Sequence, residues 1–234
     1  MSAPIIITGA GQRLGKHAAL TLNEKGYKVA ITYRKYRDEF AQWQQNGIDC
    51  FAADFSDDAG VNAFIDTVKS KYASIRALVH NASSWWPDNG ENDAQLFHDM
   101  MQVHAKAPYV INKALQHLFT EDKADIVHLT DLVAQTGSPK HLAYAASKAA
   151  LENLTYSFAR KLAPKVKVNA ISPALLKFND HDDEAYREVA LTKSLLGNEP
   201  GWQESTNTLI YLLESDFVTG RVLHLDGGRH LKLP

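Results

Sequence analysis

The chain reads as an α/β protein: a doubly wound, Rossmann-like parallel sheet of six to seven strands with helices on both faces. Three observations lead there. Short apolar runs recur at residues 4–8, 26–33, 49–53, 76–80, 122–130, 166–171 and 222–225. Strands buried on both faces read as such runs rather than as alternating patterns. Helix-period stretches separate them with short connections, which is the signature of right-handed crossovers in one parallel sheet. In 234 residues this leaves no room for a second unit, so one domain over 1–234 is expected.

Composition narrows the function. Hydrophobic residues make up 45% and charged residues 22%, with a net charge of -2 and no cationic run, so a nucleic-acid or membrane surface is not expected. Cys50 is the one cysteine, which excludes an intrachain disulfide and suits a reducing compartment. The first residues lack a charged and apolar leader, and no apolar run reaches the ~18 residues of a membrane span. A cytoplasmic protein is expected.

Taken in order, the first strand ends in Gly9, Gly11 and Gly15, which lead into a helix over 14–25. Strand, glycine turn and helix form the setting in which backbone N–H groups and a helix N-terminus hold phosphate. The spacing is one residue longer than the generic dinucleotide fingerprint, and a turn that only reverses the chain is the alternative. The second strand, 26–33, ends in Arg34, Lys35, Tyr36 and Arg37, with no carboxylate before Asp38. An acid there would hold a ribose 2′-hydroxyl, whereas cations suit a 2′-phosphate. Arg34, with Arg13 in the glycine loop, therefore predicts NADPH over NADH.

A helix over 39–46 and the third strand follow. Asp54 stands at that strand's edge, and Ser56 is the expected N-cap of a helix over 59–72. The fourth strand runs into Asn81, Ala82, Ser83, Ser84, Trp85 and Trp86. Aromatic rings in a loop offer a stacking surface to a flat ligand. A long helix is expected over 99–119. The fifth strand ends at Thr130, so Asp131 stands at its C-terminal edge, where ligands meet such sheets.

Tyr144 and Lys148 are four apart on the next helix, 144–162, and share a face. A phenol titrates near pH ~10, and a neighbouring ammonium should lower that value toward useful proton transfer. Spacing alone is weak, since Tyr109 and Lys113 repeat it; that second pair lacks a strand ending in a polar residue about a dozen positions upstream. A polar loop or lid over 177–183 and helices over 184–196 and 204–214 complete the pattern. His80, His128 and His141 show no metal-ligand spacing, so no metal is expected.

Several features together carry a resemblance: Thr8-Gly9, Gly15, Asp54, Asn81-Ala82, Tyr144-x-x-x-Lys148, Asn169 to Pro173, Thr219-Gly220 and Asp226-Gly-Gly228. In this order they resemble the short-chain dehydrogenase/reductases over nearly the whole chain. Arg13 in place of that family's middle glycine, Asp131 in place of a catalytic serine, and the loop from Asn81 to Trp85 resemble the pteridine reductases. The segments at 80–83, 158–169 and 178–187 are similar to those of the bacterial dihydromonapterin reductases, which also reduce dihydrofolate.

The resemblance implies hydride transfer from NADPH to C6 of a 7,8-dihydropterin and proton delivery to N5. Tyr144 would donate the proton, Asp131 would orient or relay, and Lys148 would tune Tyr144 and bind the nicotinamide ribose. The cofactor would meet Gly9, Gly11, Arg13, Leu14, Gly15, Arg34, Asp54, Asn81, Lys148 and Pro173. The pterin would meet Arg13, Ser83, Trp85, Asp131 and Tyr144, stacked between nicotinamide and the Trp85 ring. His104 falls where many relatives carry a relay asparagine. A homo-oligomer, dimer or tetramer, is implied. The rival readings are a reductase of another carbonyl compound and a catalytically silent NADPH-binding sensor.

Overall fold

The computed structural model describes residues 3–120 and 122–232. Seven strands form one parallel sheet: β1 (Ile5–Ile7), β2 (Val29–Tyr33), β3 (Asp49–Ala52), β4 (Ala77–His80), β5 (Asp125–Leu129), β6 (Lys167–Pro173) and β7 (Val222–Leu225). Their spatial order is β3-β2-β1-β4-β5-β6-β7. The chain winds outward from β1 to β3, then returns to place β4 on the other side of β1. That reversal opens a crevice at the carboxyl ends of β1 and β4.

Alternation along each strand divides the core. Ile5 and Ile7 face one layer with Ala18, Leu22, Phe40, Leu209 and Leu213. These belong to α1 (Arg13–Glu24), α2 (Glu39–Gln45) and α9 (Trp202–Glu214). Ile6 faces the other layer with Phe64, Val68, Ile111, Leu115 and Phe158. These come from α3 (Asp58–Lys71), α5 (Ala107–Leu115) and α7 (Leu142–Leu162). Each fully buried isoleucine contributes about 1.5–3 kcal/mol relative to exposure. Among the described residues no helix is long and apolar enough to cross a membrane.

Four details differ from expectation. The long helix begins earlier, as α4 (Asp93–Met101), and is interrupted by a π turn (Gln102–Lys106) before α5. The cap of α3 is Asp57, whose side chain accepts from Gly60 N at 2.7 Å, not Ser56, whose N–H donates to Asp54 Oδ1 at 3.0 Å. A short helix, α6 (Val133–Thr136), follows β5. The helix expected over 184–196 closes at Leu191, as α8 (Glu184–Leu191).

Beneath the crevice, four polar side chains form a buried chain. His80 Nε2 lies 2.8 Å from Asn112 Oδ1, Asn112 Nδ2 lies 3.2 Å from His128 Nε2, and His128 Nδ1 lies 2.8 Å from Thr155 Oγ1. Thr155 donates to Leu151 O at 3.2 Å, so its oxygen accepts from His128. His128 Nε2 then accepts from the Asn112 amide, and His80 Nε2 donates to Asn112 Oδ1. One set of tautomers, with both rings neutral, satisfies the chain. Burial lowers His80 to about 4 and drives His128 well below its ordinary value.

Neutral buried histidines make the fold acid-sensitive. Below pH ~6.5 the unfolded chain takes up a proton that folded His80 refuses, so stability falls with pH until ~4. Between pH 7 and 5, His80 alone should lower the unfolding free energy by about 2 kcal/mol. Urea unfolding at both values checks this. His80→Gln, which keeps a donor toward Asn112, should remove about that much of the difference.

Candidate active site

The crevice is stitched at its base. Thr8 Oγ1 accepts from the N–H groups of Asn81 and Ala82, both at 3.0 Å, and the Asn81 amide donates to Thr8 O at 2.9 Å and Gly9 O at 3.1 Å. Gly9 has φ +62, and a Cβ there would lie 2.7 Å from Ala82 Cα. Only glycine tolerates both the conformation and the contact.

Two cavities open from this base, sharing Gly9, Gln12 and Ser83. The first runs past Gly11 to Arg34, Lys35 and Arg37, with Asp54 and Phe55 on its far wall. Arg37 donates to Gln12 Oε1 at 2.6 Å, which ties the basic run to the glycine loop. Three cations against the single carboxylate of Asp54 leave this lining positive, which suits a phosphate monoester. The second is lined by Arg13, Leu14, Gly15, Asn81, Ala174, Lys177 and Trp202. Arg13 takes φ 53, and its guanidinium sits 5.6 Å from the centre of the Trp202 ring. The two arginines thus serve different cavities. Pro173 closes β6 and accepts from Leu132 N at 3.0 Å through its carbonyl, which sets Ala174 and Leu175 in the wall.

The polar cluster lies where β5 ends. Asp131 Oδ1 accepts from Val133 N at 3.0 Å, and the Tyr144 hydroxyl donates to Asp131 Oδ2 at 3.0 Å. Lys148 is buried and donates to Leu129 O at 2.8 Å; its Nζ is 5.6 Å from the Tyr144 ring centre. Burial lowers Lys148 to about 8, opposed by the Asp131 charge. Burial likewise raises the Asp131 carboxyl, against the Val133 N–H and Lys148.

Tyr144 departs from the expected direction. Burial and the neighbouring Asp131 push its phenol well above the ordinary value, with only the Ser83 hydroxyl opposing. Desolvation decides the direction, and the Lys148 ammonium donates to Leu129 O rather than to the phenol. The phenol is therefore held protonated, a state that suits a donor.

Trp85, like Asp131 and Tyr144, lies outside the lining of both cavities. Its ring sits 4.3 Å from His141, tilted 35°. The loop is pinned to the start of α7. Asp88 Oδ2 accepts from Leu142 N at 2.6 Å, and His141 Nδ1 lies 3.2 Å from Trp86 O. Asp88 thus caps a helix whose own N-cap, His141, makes no side-chain cap bond. No local pattern signals this cap or the Trp202 ring against Arg13, because each joins residues far apart in the chain.

The Enoyl-(Acyl carrier protein) reductase family model matches residues 9–230. The chain belongs to the short-chain dehydrogenase/reductase family. Within this family it is 47% identical to the dihydromonapterin reductase of Escherichia coli O6:H1 over 235 residues, 99% of this chain and 98% of that one. The counterpart in Shigella boydii serotype 4 is 47% identical over 233 residues, covering 98% and 97%. Among solved structures, FolM alternative dihydrofolate reductase 1 from Brucella canis, complexed with NADP, superimposes with a TM-score of 0.89 at 29% identity, covering 100% and 96%. The NADPH-dependent 3-quinuclidinone reductase of Rhodotorula rubra matches with a TM-score of 0.88 at 23% identity over 99% and 92%, which speaks for the fold alone.

The loop's anchorage is open to test. Asp88→Ala removes the cap, a loss of about 1 kcal/mol. Hydrogen exchange over residues 84–91 should then accelerate by several-fold to about tenfold, while amides in the middle of α7 keep their protection. Uniform acceleration along α7 would mean that the cap holds the helix and not the loop.

Proposed function

We propose that the chain is an NADPH-dependent oxidoreductase that reduces a 7,8-dihydropterin to the tetrahydro form. Dihydromonapterin is the leading substrate and dihydrofolate the second. The observation that carries the reading is the Asp131–Tyr144 pair. A carboxylate 3.0 Å from a buried phenol, just past the carboxyl end of β5, suits a ring nitrogen that must be protonated. The 47% identity to dihydromonapterin reductases supports the same substrate class.

The residues fit the cofactor. Arg34, Lys35 and Arg37 supply cations for a 2′-phosphate, and Gly9 to Gly15 bring N–H groups and the start of α1 to the pyrophosphate. Arg13 offers its guanidinium to a phosphate or a pterin edge from the second cavity. When bound, NADPH supplies the hydride for C6.

Tyr144 gives its proton to N5. A phenolate beside a carboxylate would be costly, so the pair acts as one unit that shares protons, and the raised Asp131 carboxyl lets it hold a further one. Lys148 places one buried positive charge behind this pair and offsets the charge left on the phenol. Ser83 sets a hydroxyl in the neighbourhood of the phenol, where it favours the charged form. The setting we infer is one catalytic domain in the cytoplasm. Tyr109 on α5 and Tyr156 on α7, 48% and 41% exposed, support pairing of these helices in a dimer or tetramer.

The direct test mixes protein, NADPH and dihydromonapterin or dihydrofolate and follows the nicotinamide absorbance. Oxidation with neither would overturn the reading. Tyr144→Phe should lower kcat by about 100-fold or more and leave NADPH affinity within about twofold. More than about a third of the wild-type rate in that variant would remove the phenol as donor.

A pH profile tests Lys148. It is charged below about 8 and loses its proton as pH rises through that value. In the free enzyme, kcat/KM for NADPH should therefore fall above pH ~8 by about tenfold per unit. The Tyr144 phenol, raised further, does not titrate in that window. A profile flat to pH ~10 would show that the Lys148 charge is not used.

A further inference from the structure

His104 lies on the π turn between α4 and α5 and is 1% exposed. Such a turn inserts one residue into a helix and often marks a functional site. The ring is bonded on both sides. Nε2 accepts from Ser84 N at 3.2 Å and lies 2.8 Å from Ser83 Oγ; Nδ1 lies 2.8 Å from Ser147 Oγ. Ser147 donates its own proton to Tyr144 O at 2.7 Å, so its oxygen can only accept from His104. A backbone N–H can only donate, so Nε2 must accept. The two constraints agree on one tautomer, neutral and protonated at Nδ1. The ring stands edge-on to Tyr144, with centroids 5.4 Å apart and planes at 89°.

In this arrangement the ring has no vacancy for proton traffic. Its one N–H is shared between Ser147 on α7 and the Met100 backbone on α4, and its one lone pair receives donors from the loop after β4. Burial and the Lys148 charge also oppose a second proton. What the ring does instead is hold the Ser83 hydroxyl. That hydroxyl also neighbours the Tyr144 phenol and lowers its pKa, while the phenol's proton goes to Asp131 in the resting state. Once Tyr144 has given its proton away, Ser83 can turn its O–H from the imidazole to the phenolate oxygen.

We propose that His104 is a positioning residue: through Nε2 it parks the Ser83 hydroxyl beside Tyr144, ready to donate to the phenolate formed on proton transfer. The inference rests on the proposed pterin reduction and deepens it, by assigning a support for the charge that develops on the donor.

Two substitutions separate the ring's roles. His104→Asn keeps an N–H near the Nδ1 position but ends short of Nε2. His104→Gln carries an oxygen to about the Nε2 position. The Asn variant should lose about tenfold in kcat, the worth of one hydrogen bond made in the transition state, with NADPH affinity within about twofold. The Gln variant should recover to within about threefold of wild type, and its kcat–pH profile should superimpose on wild type.

Ser83→Ala should cost about tenfold in wild type but less than about twofold in the Asn variant, because both act through one contact. Equal losses in the Asn and Gln variants, effects that multiply, or a limb of the pH profile that vanishes in Gln would overturn the proposal. Should the Asn variant fail to fold, Ser83→Ala in wild type and in the Gln variant decides alone: about tenfold in both upholds it, less than about twofold in wild type overturns it. Wild-type protein that oxidises no NADPH with any dihydropterin would remove the functional reading instead.

Discussion

The close approach of Gly9 to Ala82 is the constraint on which the rest of the site depends. The carboxyl ends of β1 and β4 meet where the strand order reverses, and no Cβ fits between them. Thr8 and Asn81 then bind the two ends together. From that point the glycine turn goes one way toward Arg34 and Arg37, and the loop from Ala82 goes the other way toward Tyr144. A wider junction would separate the cofactor crevice from the proton-transfer cluster.

A second theme is how the interior handles charge. Lys148 and Asp131 are both desolvated, and each favours the charged form of the other. Tyr144 stays protonated beside them, and His80, His104 and His128 are kept neutral. Buried histidines held neutral by hydrogen-bonded partners fix geometry without adding charge. The result is a site with one mobile proton system, Asp131 with Tyr144, set in a matrix of fixed dipoles.

Much of this was legible in the residues. Apolar runs marked the strands, most clearly the inner ones β1, β4 and β5, because a strand covered on both faces has no solvent side to alternate. Gly9, Tyr144, Lys148 and Asp131 stood at places where spacing and strand ends already implied chemistry. What was not legible in the contacts has one cause. The serines that hold the His104 ring, the Asp88 cap on α7, the Trp85 ring against His141 and the Trp202 ring beneath Arg13 all join residues distant in the chain. The acidity of Tyr144 is not legible either: a four-residue spacing brings Lys148 near but says nothing of burial, which is the largest influence on the phenol.

By itself, then, the order of amino acids determined the layered fold, the crevice and the residue types that meet there, since these follow from periodicity, glycine placement and local spacing. Only the tertiary structure decided protonation and orientation: which groups are dry, which ring nitrogen carries a proton, and where an exposed indole rests. Those depend on desolvation and on partners brought together by packing, and neither is a property of any short stretch of chain.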